Sequence, residues 1–407
     1  MPKILITAYD VDPYQGSESG FGWNFIFQAS RFNKVVAVTR QNNRRNIERF
    51  MTENNIGCDN LEFQYFDLPY YLRFWKSGAR GALAYFYIWQ FSLALVYRWK
   101  KLDVDIVHGL NFSSDSIPTF LWLLNKPLVW GPINHHEVIK LSYIARYGFW
   151  SVFRDRLVWA VKLLEWNLDP FLYLSKRKSD VVLCGNKSVI KRLKLAKKKS
   201  IIFQSSGTVE TKWQREEKGK NFVLILPARF TPLKGVDIAL NAFKLFLEKI
   251  GSSNNVKLIL IGRGPSEDYL RNVARELDIQ GSVRFENWVS KDELKKYFLQ
   301  ASAMVYPSHE GAGMVVVEAL SLGLPIICFD NYGPGEMVDS SCGKKIPYST
   351  FQKSIEDFSL ALHEIYCDGD LLQSLSVGAY EKANAHYTWG VKGEQLRKVY
   401  ANLILAK

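Results

Sequence analysis

The feature that most constrains this chain is a punctuated rhythm. Short apolar runs stop at Gly, Pro, Asn or Asp, and longer stretches of helical period separate them. In the first half the runs are Ile4 to Thr7, Val35 to Thr39, Ile106 to His108, Leu128 to Trp130 and Val181 to Cys184. Stretches such as Phe21 to Arg31 and Leu83 to Trp99 lie between them and carry apolar residues at helical spacing. Strand then helix, repeated, is the pattern of a parallel sheet covered by helices on both faces. The rhythm weakens from Ser205 to Lys220, where Ser, Gly, Thr, Glu and Lys dominate, so a linker is expected there. It resumes with Val223 to Leu226, Val256 to Ile261, Val283 to Phe285, Ala303 to Tyr306 and Ile326 to Phe329. The expected fold is α/β, with two Rossmann-like doubly wound parallel-sheet domains facing across a cleft. The first would span 1–210, the second 211–385, and a closing helix in 386–407 would return toward the first.

Composition narrows the function classes. With 47% hydrophobic and 23% charged residues over 407 positions, the chain can bury enough apolar surface to fold. Five cysteines, odd in number and never in CxxC spacing, suit reduced thiols in a cytoplasmic compartment rather than a zinc site. The apolar run after Lys3 turns polar by Asp10, too early for a signal peptide. Gly81 to Tyr97 is uncharged but interrupted by Gln90 and Ser92, and is read as an amphipathic helix, buried or facing a membrane, rather than a span. The net charge of +13 is lopsided: residues 1–215 hold 31 of the 53 Lys and Arg but only 17 of the 40 Asp and Glu. Basic clusters at Arg98 to Lys101, Lys176 to Lys178 and Lys191 to Lys199 are interleaved with aromatics, which suits an anionic membrane surface. No nucleic-acid-binding module is recognisable, so nucleic acid is not an expected partner.

Ligands of open α/β sheets gather at the carboxyl ends of the strands, which directs attention to the loops of the second half. After the first strand there, Arg229 and Lys234 flank a Pro and Gly turn at a helix start, where two cations would clamp a diphosphate. After the second, Gly262, Arg263, Gly264 and Pro265 form a turn that lets a ligand approach the backbone. After the fourth, Glu310, Gly311, Ala312, Gly313, Met314 and Val315 lead into a helix that carries Glu318. Backbone amides beside a helix N-terminus favour a phosphate, and two carboxylates accept from hydroxyls. A polyhydroxylated phosphate ester fits the set.

The string from Tyr306 through Pro325 resembles the signature of retaining family 4 (group 1) glycosyltransferases of GT-B fold. The Arg229 and Lys234 loop, the Gly262 turn and Tyr387, Thr388 and Trp389 before the closing helix fit the same family. Gly16, Ser17, Glu18, Gly20, Gly22, Trp23 and Asn24, with Trp130, Gly131 and Pro132, resemble a bacterial subset that builds surface polysaccharides. The resemblance implies that Arg229 and Lys234 neutralise a nucleotide-sugar diphosphate and that the Gly311 to Val315 backbone holds phosphate. Glu310 would contact the transferred sugar, Glu318 would accept from the ribose, and Gly16 and Ser17 would meet the diphosphate from the first domain. It also implies retention, no metal and no further cofactor.

His135 and His136 follow the strand Leu128 to Trp130, where related enzymes often place an active-site histidine, and are candidates for proton transfer. His108 and His309 are lesser candidates. Asp10 and Asp12, Asp103 and Asp105, and Asp368 and Asp370 form DxD pairs, read as chance spacing rather than as metal ligands. The expected activity is a glycosyltransferase, cytoplasmic and peripheral to the inner membrane. It would move a sugar to a lipid-linked glycan in O-antigen, capsule or exopolysaccharide biosynthesis. A soluble synthase or phosphorylase acting on a small sugar, and a non-catalytic polyanion-binding scaffold, remain open.

Overall fold

The computed structural model describes residues 1–405 apart from 58, 79, 101–102, 111, 214–220 and 252–254. Cys58, Lys101 and the second half of the expected linker therefore lie outside the described residues. Seven strands build the first sheet: β1 (Lys3–Ala8), β2 (Lys34–Thr39), β3 (Leu61–Tyr65), β4 (Ile106–Leu110), β5 (Leu128–Ile133), β6 (Val181–Cys184) and β7 (Ser200–Ile202). All pairings are parallel, in the order β3-β2-β1-β4-β5-β6-β7. Ile4 stands opposite Val35 on one side and Ile106 on the other, so the strand order reverses around β1.

The helix Ala82–Trp99 shows why the uncharged stretch there is not a span. Tyr85, Phe86, Trp89, Leu93 and Tyr97, at helical spacing, are buried in one cluster with Leu5, Val36 and Val107 of the sheet. Fully burying each such ring contributes about 2 kcal/mol or more. Among the described residues no helix is long and apolar enough to cross a membrane.

The second sheet comprises β8 (Phe222–Pro227), β9 (Val256–Ile261), β10 (Val283–Glu286), β11 (Ala303–Tyr306), β12 (Ile326–Phe329) and β13 (Gly343–Ile346). Its order, β10-β9-β8-β11-β12-β13, repeats the logic of the first, with the reversal between β8 and β11. Period-two alternation divides its residues between two faces. Leu224, Leu226 and Val305 pack with helices Val236–Lys249 and Phe351–Cys367. Ile225 and Met304 pack with helices Met314–Ser321 and Gly369–His386. Two doubly wound α/β units result, the fold class read from the sequence.

The chain crosses between the units more often than the sequence suggested. Residues 1–135, 161–207 and 389–407 form one unit, and 136–160 with 208–388 form the other. The segment 136–160, expected in the first domain, is tied into the second by rings and hydroxyls. Tyr143 shares a 2.8 Å hydrogen bond with Ser354, and the Tyr147 hydroxyl donates to Asp237 at 2.6 Å. The Lys140 ammonium donates to the Tyr348 carbonyl, and Arg146 lies 4.0 Å over the Phe351 ring. Cys184, Cys328 and Cys342 are buried free thiols, and Cys367 is an exposed one.

Candidate active site

The reversal between β8 and β11 leaves a crevice at their carboxyl ends, and the loops after β8 and β11 meet there. After β8 the chain makes a short turn, Pro232–Lys234, ending at Gly235 with φ 61°. A Cβ on Gly235 would lie 2.2 Å from the Pro307 carbonyl, so only glycine lets this turn pack against the loop after β11. Two further bonds stitch the loops together: the His309 amide and the Ser308 hydroxyl both donate to the Leu233 carbonyl.

The stitched loops bring Lys234 to Glu310. The ammonium sits 2.5 Å from Glu310 Oε2, with side chains 16% and 25% exposed. The buried Tyr306 hydroxyl accepts from Lys234 at 3.0 Å and donates to Glu310 Oε2 at 2.9 Å, which closes a triangle. Burial works against the lysine charge, but Tyr306 and Glu310 outweigh it and hold the ammonium well above the ordinary lysine range. Tyr306 itself is pushed above the ordinary phenol range, chiefly by burial. Sequence reasoning missed it, because a tyrosine ending a buried strand reads as core until its oxygen has partners.

Helix Met314–Ser321 begins beside this triangle with Gly313 at its N-terminus and no side-chain cap. Its first amides are the orphan donors every uncapped helix start presents, suited to an anion. Ala312, Met314 and Val315 are half-buried around that start. Burial raises the Glu318 carboxyl, opposed only by Lys291, and its side chain makes no hydrogen bond or ion pair among the described residues. The loop after β12 joins the group: Asn331 donates to the Ser308 carbonyl, and a Cβ on Gly333 would fall 1.9 Å from the Glu310 carbonyl.

The other predicted cations are placed differently. Arg229 is exposed and makes no hydrogen bond or ion pair among the described residues, so it stands outside the triangle. Arg263 is held by Asn287 at 2.8 Å. Gly262, at φ 143°, and Gly264 allow their turn to lie against Ala228 and Phe230.

The two adjacent histidines part company. His135 is buried in the first unit, its Nδ1 2.6 Å from Asp115 Oδ2. His136 belongs to the second unit and lines a recess of about 70 Å3 with His309, Glu310, Gly311 and Asn331. His309 is buried, bonded through Nδ1 to the Tyr348 hydroxyl at 2.9 Å, and burial pulls it down to about 3. His108 lies deep in the first unit between the Tyr400 hydroxyl and the Gly131 carbonyl, both at 2.7 Å. Burial pulls it down to about 4, so it packs the closing helix as a neutral ring.

In the first unit, the reversal between β1 and β4 carries the loop from Asp10 to Ser17. Ser17 opens helix Ser17–Ser30 at φ 56°, a left-handed conformation unusual for serine. Gly16 is partly exposed and Ser17 exposed. Gly20 and Gly22 leave no room for a Cβ, which would lie 2.3 Å from the Gln15 carbonyl and 2.4 Å from the Asp10 carbonyl. Burial first, and Asp10 second, push the Glu18 carboxyl up to about 7. Four of the six DxD aspartates accept hydrogen bonds within the fold: Asp10 from Ser19, Asp12 from Asn46, Asp105 from the Lys3 amide, and Asp368 as a helix cap.

Residues 208–382 match the model of the group 1 glycosyl transferases. A D-inositol 3-phosphate glycosyltransferase of Streptomyces bingchenggensis is 28% identical over 185 residues, 44% of this chain and 40% of the relative. The lipopolysaccharide core biosynthesis glycosyltransferase LpsE of Rhizobium meliloti is 26% identical over 187 residues, 46% of this chain and 50% of the relative. The matches thus span half the length of these relatives or less. Among solved structures, Anabaena HepE in complex with UDP and glucose superposes with a TM-score of 0.62 at 15% identity, covering 99% of this chain and 100% of that one. WaaG, a glycosyltransferase involved in lipopolysaccharide biosynthesis, gives 0.60 at 16%, covering 97% and 99%. These likenesses establish the fold, two parallel-sheet α/β domains of the GT-B class.

Proposed function

We propose that the chain is a retaining, metal-independent glycosyltransferase that moves a sugar from a nucleotide diphosphate to a lipid-linked glycan in surface-polysaccharide biosynthesis. The observation that carries the reading is the Lys234, Tyr306 and Glu310 triangle beside an uncapped helix start, at the strand-order reversal of the unit that matches the group 1 model. A cation and oriented amides in one crevice favour a diphosphate, and carboxylates beside them favour sugar hydroxyls.

In this reading Lys234 and Arg229 neutralise the diphosphate, and the Gly311 to Val315 backbone meets its oxygens. Glu310 orients the sugar, Glu318 accepts from the ribose, and Gly16 and Ser17 serve the same donor from the first unit. As the bond between the anomeric carbon and the β-phosphate oxygen breaks, negative charge grows on that oxygen. Groups that stabilise this charge more in the transition state than in the ground state accelerate the step. The acceptor hydroxyl attacks from the face the phosphate leaves, and its proton passes to the departing oxygen. His136, in the Glu310 recess, is the better placed of the two histidines to meet the sugar. The enzyme works at the cytoplasmic face of the membrane, with no cofactor.

The test is nucleoside diphosphate release from UDP, GDP, dTDP and ADP sugars, with and without chelator. Release from one donor is expected, insensitive to chelator and lost in Glu318→Ala. Lys234→Ala is expected to lower turnover at least about a hundredfold with the fold retained. Failure of every donor to bind at saturation would refute the reading.

A further inference from the structure

The helix Phe149–Leu168 is unlike every apolar helix of the two cores: along its 20 residues none is buried. Phe149, Trp150, Phe153, Leu157, Leu164 and Leu168 are exposed, Trp150 by 77% and Leu168 by 72%. At about 100° per residue these six fall in an arc of about 100°, one continuous stripe about 30 Å long. The reverse of the helix carries its anchors. Val152 packs against the core of the second unit, and the Trp159 ring meets His136. Trp166 packs with Trp130 and Val182.

We infer that this stripe is the element that seats the protein on an anionic bilayer, with the helix lying in the interface plane. The charge around the stripe selects the occupant. The helix carries Arg154, Arg156 and Lys162 against Asp155 and Glu165, a net positive charge. The following helix, Pro170–Lys178, ends in Lys176, Arg177 and Lys178 and exposes Tyr173. An apolar stripe with aromatics and flanking cations, on a helix that does not qualify as a span, is the interfacial pattern. A second copy of the chain would bring the same cations against themselves. The inference deepens the proposed function, which places the acceptor at a membrane, and takes its biological meaning from that reading.

The experiment uses the full chain with vesicles of phosphatidylglycerol or of phosphatidylcholine, and the triple variant Phe153→Ser, Leu157→Ser, Leu164→Ser. Wild type is expected to partition onto phosphatidylglycerol far more than onto phosphatidylcholine. The triple variant should bind at least about a hundredfold more weakly, with thermal midpoint and nucleoside diphosphate binding unchanged. Trp150→Phe should lose part of the fluorescence quenching by brominated acyl chains. Unchanged partition in the triple variant overturns the inference. So does a wild-type dimer that the variant turns into a monomer while vesicle binding persists. Donor turnover without vesicle binding defeats only the membrane inference, whereas vesicle binding without any donor binding defeats only the enzymatic reading.

Discussion

Glu310→Gln is predicted to tighten the binding of a bare nucleoside diphosphate while lowering turnover. In the free protein Lys234 is already engaged, 2.5 Å from Glu310 Oε2, so a diphosphate has to compete with that carboxylate for the ammonium. At this distance an effective dielectric of about 20 gives a gross attraction of roughly 7 kcal/mol, most of it offset by desolvation. Exposed pairs are worth about 0–1 kcal/mol, and breaking buried ones costs about 3–5. Side chains 16% and 25% exposed place this pair between, at a net of about 1–2 kcal/mol. Releasing Lys234 should therefore strengthen diphosphate binding by about five- to thirtyfold. Using the nucleoside diphosphate rather than the sugar donor keeps the proposed contact between Glu310 and the sugar out of the measurement. Isothermal titration on wild type, Glu310→Gln, Lys234→Met and the double variant completes a cycle, and the gain should vanish when Lys234 is absent. Unchanged or weaker binding in Glu310→Gln, with Lys234→Met equally silent, would refute the assignment of Lys234 to the diphosphate.

Acid stability supplies another check. His108 has a folded value near 4, below the ordinary 6.5, so its contribution is fully present above pH 6.5 and is lost as pH falls toward 4. Chemical denaturation should show about one proton's worth of slope, roughly 1.4 kcal/mol per pH unit, that disappears in His108→Gln. Gly235→Ala places a Cβ 2.2 Å from the Pro307 carbonyl at φ 61°, and should lower stability by about 1–3 kcal/mol in urea unfolding. It should also reduce turnover, because the same turn carries Lys234.

The strands named from the sequence all form, and the three that escaped notice share a cause. β3, β7 and β13 are sheet edges: Glu62 and Gln64 interrupt β3, three lysines precede β7, and Lys344 and Lys345 fill β13. Edge strands keep one side in solvent, so polar residues dilute the apolar run that marks an inner strand. Lys234 and Glu310 were legible because strand ends and glycine turns advertise themselves. The triangle was not, since it depends on the Tyr306 oxygen reaching two partners at once. Nor was the allegiance of 136–160, which rests on Tyr143 and Tyr147 meeting Ser354 and Asp237 more than eighty residues away.

That allegiance bears on modularity. A fragment cut after 207 would carry off 136–160 and leave behind the closing helix that holds Tyr400 against His108. The complementary piece would strip Tyr147 from Asp237, a carboxyl that burial raises to about 6. Neither half is a self-sufficient cassette. Exchanging the half that matches the group 1 model with that of a relative would succeed only if 136–160 travelled with 208–388, two separate stretches of gene moved as one piece.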